Sequence, residues 1–127
     1  MAGLLAYRPG YRPHLCYRLV VHRGRRGERR SLSEADYATL LAAAHQQLHA
    51  PIILIWDNLN THLSARMRAF IAAHTDWLTV IRLPAYAPEL NPTEGAWSHL
   101  KRGLGNCAAT GIDQLASIVK TRLKRLQ

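Results

Sequence analysis

The sequence predicts a layered α/β domain built on a mixed sheet, and three observations carry that expectation. Strand-like segments alternate with helix-like ones after an opening pair of strands, in the order β-β-α-β-α-β-α-α. The run Ile52-Ile53-Leu54-Ile55-Trp56 is apolar on both faces, as central parallel strands commonly are. Four later segments repeat apolar residues at helical spacing. The 127 residues fit one domain, 1–127, and 48% hydrophobic content suffices for a core. No internal repeat and no linker splits the chain.

Each element has its own signal. Residues 2–8 form a short strand, and Pro9, Gly10 and Pro13 mark a turn. From Leu15 to His22 the residues alternate, with Leu15, Tyr17, Leu19 and Val21 on one face, which predicts the second strand of an antiparallel hairpin. Residues 23–30 form an exposed basic loop. Ser31 and Glu34 have capping-box spacing ahead of a helix over 32–48, with Tyr37, Leu40, Leu41, Ala44 and Leu48 on one face. Pro51 ends that helix, and the strand 52–56 leads into Asp57 and Asn58. A helix follows over 62–74 (Leu63, Met67, Phe70 and Ile71 inward), then a strand over 78–83. Pro84 and Pro88 predict an extended loop. Asn91-Pro92 opens another helix, with asparagine as N-cap. The last helix begins near Thr110, with Ile112, Leu115, Ala116, Val119, Leu123 and Leu126 as its apolar stripe and basic residues opposite.

The charge of +9 is unevenly spread: +7 over residues 1–30, −2 over 31–119 and +4 over 120–127. Basic ends around a nearly neutral middle favour a polyanion, of which nucleic acid is the commonest. Arg23, Arg25, Arg26, Arg29, Arg30, Lys101, Lys120 and Lys124 are the candidate contacts to such a nucleic acid, against the simpler account of a solvated basic surface. No run of 18 apolar residues is present, so a membrane span is not expected, and residues 1–12 do not read as a signal peptide. Cys16 and Cys107 lack zinc-site spacing, and a reduced intracellular setting is the simplest expectation.

Two carboxylates stand out. Asp57 follows the most apolar strand, and ligands of open α/β sheets bind outside the carboxyl ends of strands. Its alternative role is to cap the next helix. Glu94 is expected at the third position of the helix opened by Asn91-Pro92, where a capping-box glutamate would also fit. If the strands ending at Asp57 and at Leu83 are neighbours, both carboxylates face one end of the sheet, where paired oxygen ligands hold Mg²⁺. His62 suits a phosphate contact or a helix start equally well. Lys101 could reach a phosphate or remain solvated. Trp56, Trp77 and Trp97 sit among apolar neighbours and read as core rather than as base-stacking platforms.

Two blocks, Trp56-Asp57-Asn58-Leu-Asn-Thr-His62 and Leu83-Pro-Ala-Tyr86-Ala-Pro88-Glu-Leu90-Asn91-Pro92-Thr-Glu94-Gly-Ala-Trp97-Ser-His-Leu-Lys101, resemble the DDE transposase domain of mariner-related bacterial insertion sequences. The resemblance runs through the helix at 111–126. It implies a ribonuclease H-like mixed sheet flanked by helices and a two-ion site holding Mg²⁺ (or Mn²⁺). Asp57 would be the second catalytic carboxylate and metal ligand and Glu94 the third, with Asn58, His62, Asn91 and Lys101 beside them. Metal-bound water would cut a DNA phosphodiester, and the released 3′-hydroxyl would attack target DNA. DNA, as transposon ends and target, would be the partner, in a bacterial cytoplasm and on the nucleoid when bound.

The first catalytic aspartate of such domains lies on the first, central strand, and residues 1–30 contain one acidic residue, Glu28, in the arginine-rich loop. The sequence therefore reads as an N-terminally truncated domain lacking that strand, with weak or no catalysis. A second copy or an upstream partner chain would supply the strand. The competing expectations are a non-catalytic DNA-binding remnant of a transposase and a broken product without a retained role.

Overall fold

The computed structural model describes residues 1–57, 64–84, 88–105 and 107–126. Two compact units emerge, Met1–Ser31 with Pro92–Gln127, and Leu32–Asn91.

In the first unit, β1 (Ala2–Ala6) pairs antiparallel with β2 (His14–Arg18), Leu4 standing opposite Cys16. The second strand was expected to run to His22. It stops at Arg18 because Ala2, the first residue of β1, is already opposite Arg18, so the chain beyond has no ladder partner. Leu15, Tyr17 and Leu19 share a face as predicted and join the core. Against it pack α3 (Thr93–Leu104) and α4 (Ile112–Leu126), through Leu100, Val119 and Leu123 with Trp97, Leu104, Leu115 and Leu126 around them. Ile112 departs from the predicted stripe and is 44% exposed, because it lies at the first residue of α4, beyond the reach of the packed turns. Thr110 donates its backbone N–H and hydroxyl to Gln114 Oε1 (2.7 and 2.8 Å) and so fixes that helix start.

The second unit holds α1 (Glu34–Leu48), β3 (Ile52–Trp56), α2 (Ala65–Ala73) and β4 (Leu78–Arg82). β3 has the predicted bounds and pairs parallel with β4, Ile52 opposite Leu78 and Trp56 opposite Arg82, a crossover through α2. The capping box forms two residues later than predicted. Ser33, not Ser31, donates its backbone N–H and hydroxyl to Oδ2 of Asp36 (2.9 Å each), and Asp36 is buried. The sequence offers both frames, and the helical phase of Leu40, Leu41 and Ala44 is the same for either. Ser64 caps α2 by accepting from the Met67 N–H at 3.2 Å. Trp77 stacks on His45 (centroids 4.2 Å, 13°) and is half-buried, short of the core position expected.

One expectation about the sheet changes. β3 is covered on one face only: Ile52, Leu54 and Trp56 are buried, while Ile53 and Ile55 are 69% and 58% exposed. Among the described residues the strands form two two-stranded ladders, one antiparallel and one parallel. The resemblance stated above implies a ribonuclease H-like fold. The alternating α/β architecture, with four α-helices and small sheets among the described residues, is consistent with that fold.

Candidate active site and basic surface

Asp57 is the first residue after β3 and is exposed. The backbone beside it is held by the Leu83 N–H, which donates to the Trp56 carbonyl at 2.9 Å, so the carboxyl ends of β3 and β4 finish level. Burial, then the negative charges of Asp57 and Asp36, raise the pKa of the Tyr37 hydroxyl. Tyr37, in the first turn of α1, thus feels the Asp57 charge. Asn58 and His62, expected beside it, lie outside the described residues, as do Leu63 and Tyr86.

Glu94 is the second residue of α3 and is exposed. The helix begins at Thr93 with Pro92 at its cap position, so Asn91 is not the N-cap and Glu94 is not at the third position. A 3-10 turn at Pro88–Leu90 takes up the residues just before, where an extended loop was expected, and shifts the helix start. Asn91 is half-buried between the two. Lys101 follows Glu94 by seven residues, nearly two turns, so both project from one side of α3 about 10 Å apart along its axis. Trp97, three residues after Glu94 and four before Lys101, packs on the core and seats α3 on β1: a Cβ at Gly3 would come within 2.5 Å of its ring.

Asp57 and Glu94 belong to different units. Among the described residues there is no group of three or more His, Cys, Asp or Glu able to hold a metal ion. Each of these exposed carboxylates has the hard oxygen chemistry that Mg²⁺ takes.

The basic residues named from sequence are all exposed: Arg23, Arg25, Arg26, Arg29, Arg30, Lys101, Lys120 and Lys124. Arg23 has a partner within the chain. Arg23 Nη2 lies 2.6 Å from Asp113 Oδ1 at the start of α4, and this hydrogen bond and charge raise the arginine's pKa. Glu28 organises the loop. Its Oε2 accepts the N–H groups of Arg23 (2.7 Å) and Arg25 (3.2 Å), and His22 Nδ1 lies 3.2 Å away in a contact that becomes an ion pair only when the ring is protonated. Desolvation opposes ionisation there, but those N–H groups, with the charges of His22 and Arg23, outweigh it and hold the Glu28 carboxyl below its ordinary value. Arg122, by contrast, turns inward, its guanidinium against Gly103 and 3.3 Å from Cys107 Sγ.

Sequence reasoning missed an open groove beside α2 and β4, lined by Arg68, Thr75, Thr79 and Arg82 with Ile71, Leu78 and Val80. No periodicity joins those positions, since they alternate between a helix, a turn and a strand.

No helix among the described residues is long and apolar enough to cross a membrane. No curated protein and no solved structure matches the chain. The profile of the DDE superfamily endonuclease family matches residues 27–116, from the basic loop into α4, a span that includes both Asp57 and Glu94 but neither β1 nor β2. The resemblance through the end of α4 thus extends beyond the matched span. Over most of its length the sequence follows the family pattern, and the chain belongs to the DDE superfamily of endonucleases.

Proposed function

We propose that this chain is a transposase domain for divalent-metal-dependent DNA cleavage and strand transfer, with Asp57 and Glu94 as its catalytic carboxylates and metal ligands. The observation that carries the reading is the family match spanning both residues. Mg²⁺ or Mn²⁺, when bound, would polarise phosphodiester oxygens and neutralise the charge that develops on them. Asp57 and Glu94 contribute the oxygen donors, and Lys101, exposed on the Glu94 side of α3, offers a cation to a flanking phosphate. Asn58, His62 and Asn91 are proposed as neighbours of the acidic pair. Transposon ends and target DNA are the proposed partners, and a bacterial cytoplasm, on the nucleoid when bound to DNA, the proposed setting. Two carboxylates hold a two-ion site poorly, so cleavage by residues 1–127 alone is expected to be weak or absent. A second copy or a partner chain that adds a strand and a third carboxylate would raise it.

Supercoiled plasmid incubated with the chain and Mg²⁺ or Mn²⁺ tests this. The expected result is at most slow nicking, abolished by chelator and by Asp57→Ala or Glu94→Ala. Nicking that survives both substitutions overturns the assignment.

A second reading, a non-catalytic DNA-binding remnant, is favoured by the exposed arginines of residues 25–30. Chelator-insensitive DNA binding that falls steeply with salt, without any nicking, selects it.

A further inference from the structure

The β1–β2 connection, residues 7–13, reads Tyr-Arg-Pro-Gly-Tyr-Arg-Pro. Here the chain does contain a short repeat: the tripeptide Tyr-Arg-Pro occurs at 7–9 and again at 11–13. The connection has a defined shape. The Tyr11 N–H donates to the Arg8 carbonyl at 3.0 Å, Pro9 and Gly10 are the central residues, and Gly10 has φ +80°. Proline second and glycine third with positive φ make this a type II turn. The turn holds the Arg8 guanidinium over the Tyr11 ring, 4.6 Å from its centroid. Tyr7 and Tyr11 are 63% and 66% exposed, and Arg8 and Arg12 are exposed with them. The nearest acidic residue in sequence, Glu28, is engaged by the loop at 23–28.

Two aromatic rings interleaved with two guanidinium groups on an ordered tip match the chemistry of a chain with unstacked bases. Every base offers a face to a ring and every nucleotide a phosphate to an arginine. A duplex shows its phosphates and base edges but hides the base faces, so it leaves the rings unused. We propose that the tip at residues 7–13 is a docking site for unpaired DNA, with Tyr7 and Tyr11 stacking on bases and Arg8 and Arg12 taking phosphates. The proposal rests on the reading of the chain as a DNA-acting domain and adds the form of DNA recognised. Neither the DNA contacts inferred from charge nor the family match, which begins at residue 27, includes this tip.

Fluorescence anisotropy of a labelled oligo-dT strand and of a duplex of equal length, each titrated with the full chain at fixed salt, tests it. Tyr7→Ala and Tyr11→Ala are each expected to weaken oligo-dT binding about fivefold to a hundredfold, the worth of one stacked base, with duplex binding changed less than about twofold. Tyr11→Phe keeps the ring and should keep the affinity. Arg8→Ala and Arg12→Ala should each lower the slope of log affinity against log salt by about 0.7. Circular dichroism melts should match wild type, since these side chains are exposed. Tyrosine variants that bind oligo-dT like wild type, or that lose duplex and single strand equally, overturn the proposal while leaving the DNA reading intact. Tyrosine-dependent binding to phosphatidylglycerol vesicles in place of oligo-dT overturns it in favour of a membrane surface. Failure of the wild-type chain to bind either DNA overturns both.

Discussion

The indole of Trp97 rests against the β1 backbone at Gly3, where a Cβ would lie 2.5 Å from Cη2 and 2.6 Å from Cζ2. The helix that carries Glu94 and Lys101 is thereby seated on the hairpin through a position that tolerates no side chain. Gly3→Ala should force the ring or the strand to shift and cost about 1–3 kcal/mol, as overpacking does. Gly95→Ala is the control, since among the described residues nothing lies within 4 Å of a Cβ there, and it should stabilise α3 by about 0.5–1 kcal/mol. Urea melts of the two variants should move in opposite directions.

Arg23 and Asp113 neutralise one another at 2.6 Å. Asp113→Asn releases that guanidinium to the basic loop. Duplex DNA should then bind more tightly, and the slope of log affinity against log salt should steepen by about 0.9, one added phosphate contact. An unchanged slope would show that Arg23 does not face DNA.

Leu123 is fully buried and Ile112 is 44% exposed, although both fall on the predicted stripe of α4. Leu123→Ala should cost about 2–5 kcal/mol through the cavity it leaves. Ile112→Ala should stay within about 0.5 kcal/mol. Equal losses in thermal melts would mean that the amino end of α4 packs like its middle.

The Glu28 carboxyl is held below its ordinary value in the folded chain. The order it lends to residues 23–28 is therefore complete above the ordinary glutamate range and is lost as the pH falls through the depressed value. The amide resonances of Arg23 and Arg25, followed by NMR from neutral pH downwards, should hold through the ordinary range and shift below it. In Glu28→Gln both amides should lose that transition.

The elements most legible in the sequence were those whose patterns are local. β3 was readable to the residue because five consecutive apolar side chains end at a proline on one side and an aspartate on the other. The buried faces of α1 and α4 followed from helical spacing. The cap of α1 did not, since Ser31 and Ser33 offer rival frames without changing the phase of the helix. Asp57 and Glu94 were legible as carboxylates at a strand end and in a first helical turn. Their shared use at one metal remains a proposal, because the residues belong to separate units.

By itself the sequence determined the order of elements, the basic ends and the two carboxylates that the DDE family match spans, because periodicity, charge and motif are all written in neighbouring residues. Tertiary structure decided what depends on distant partners. It stopped β2 at Arg18 for want of a paired strand, left Ile53 and Ile55 uncovered, and placed Trp97 on Gly3. It also spent the charge of Arg23 on a carboxylate 90 residues away. Burial and charge pairing are set by what the rest of the chain brings alongside, and no local pattern records that.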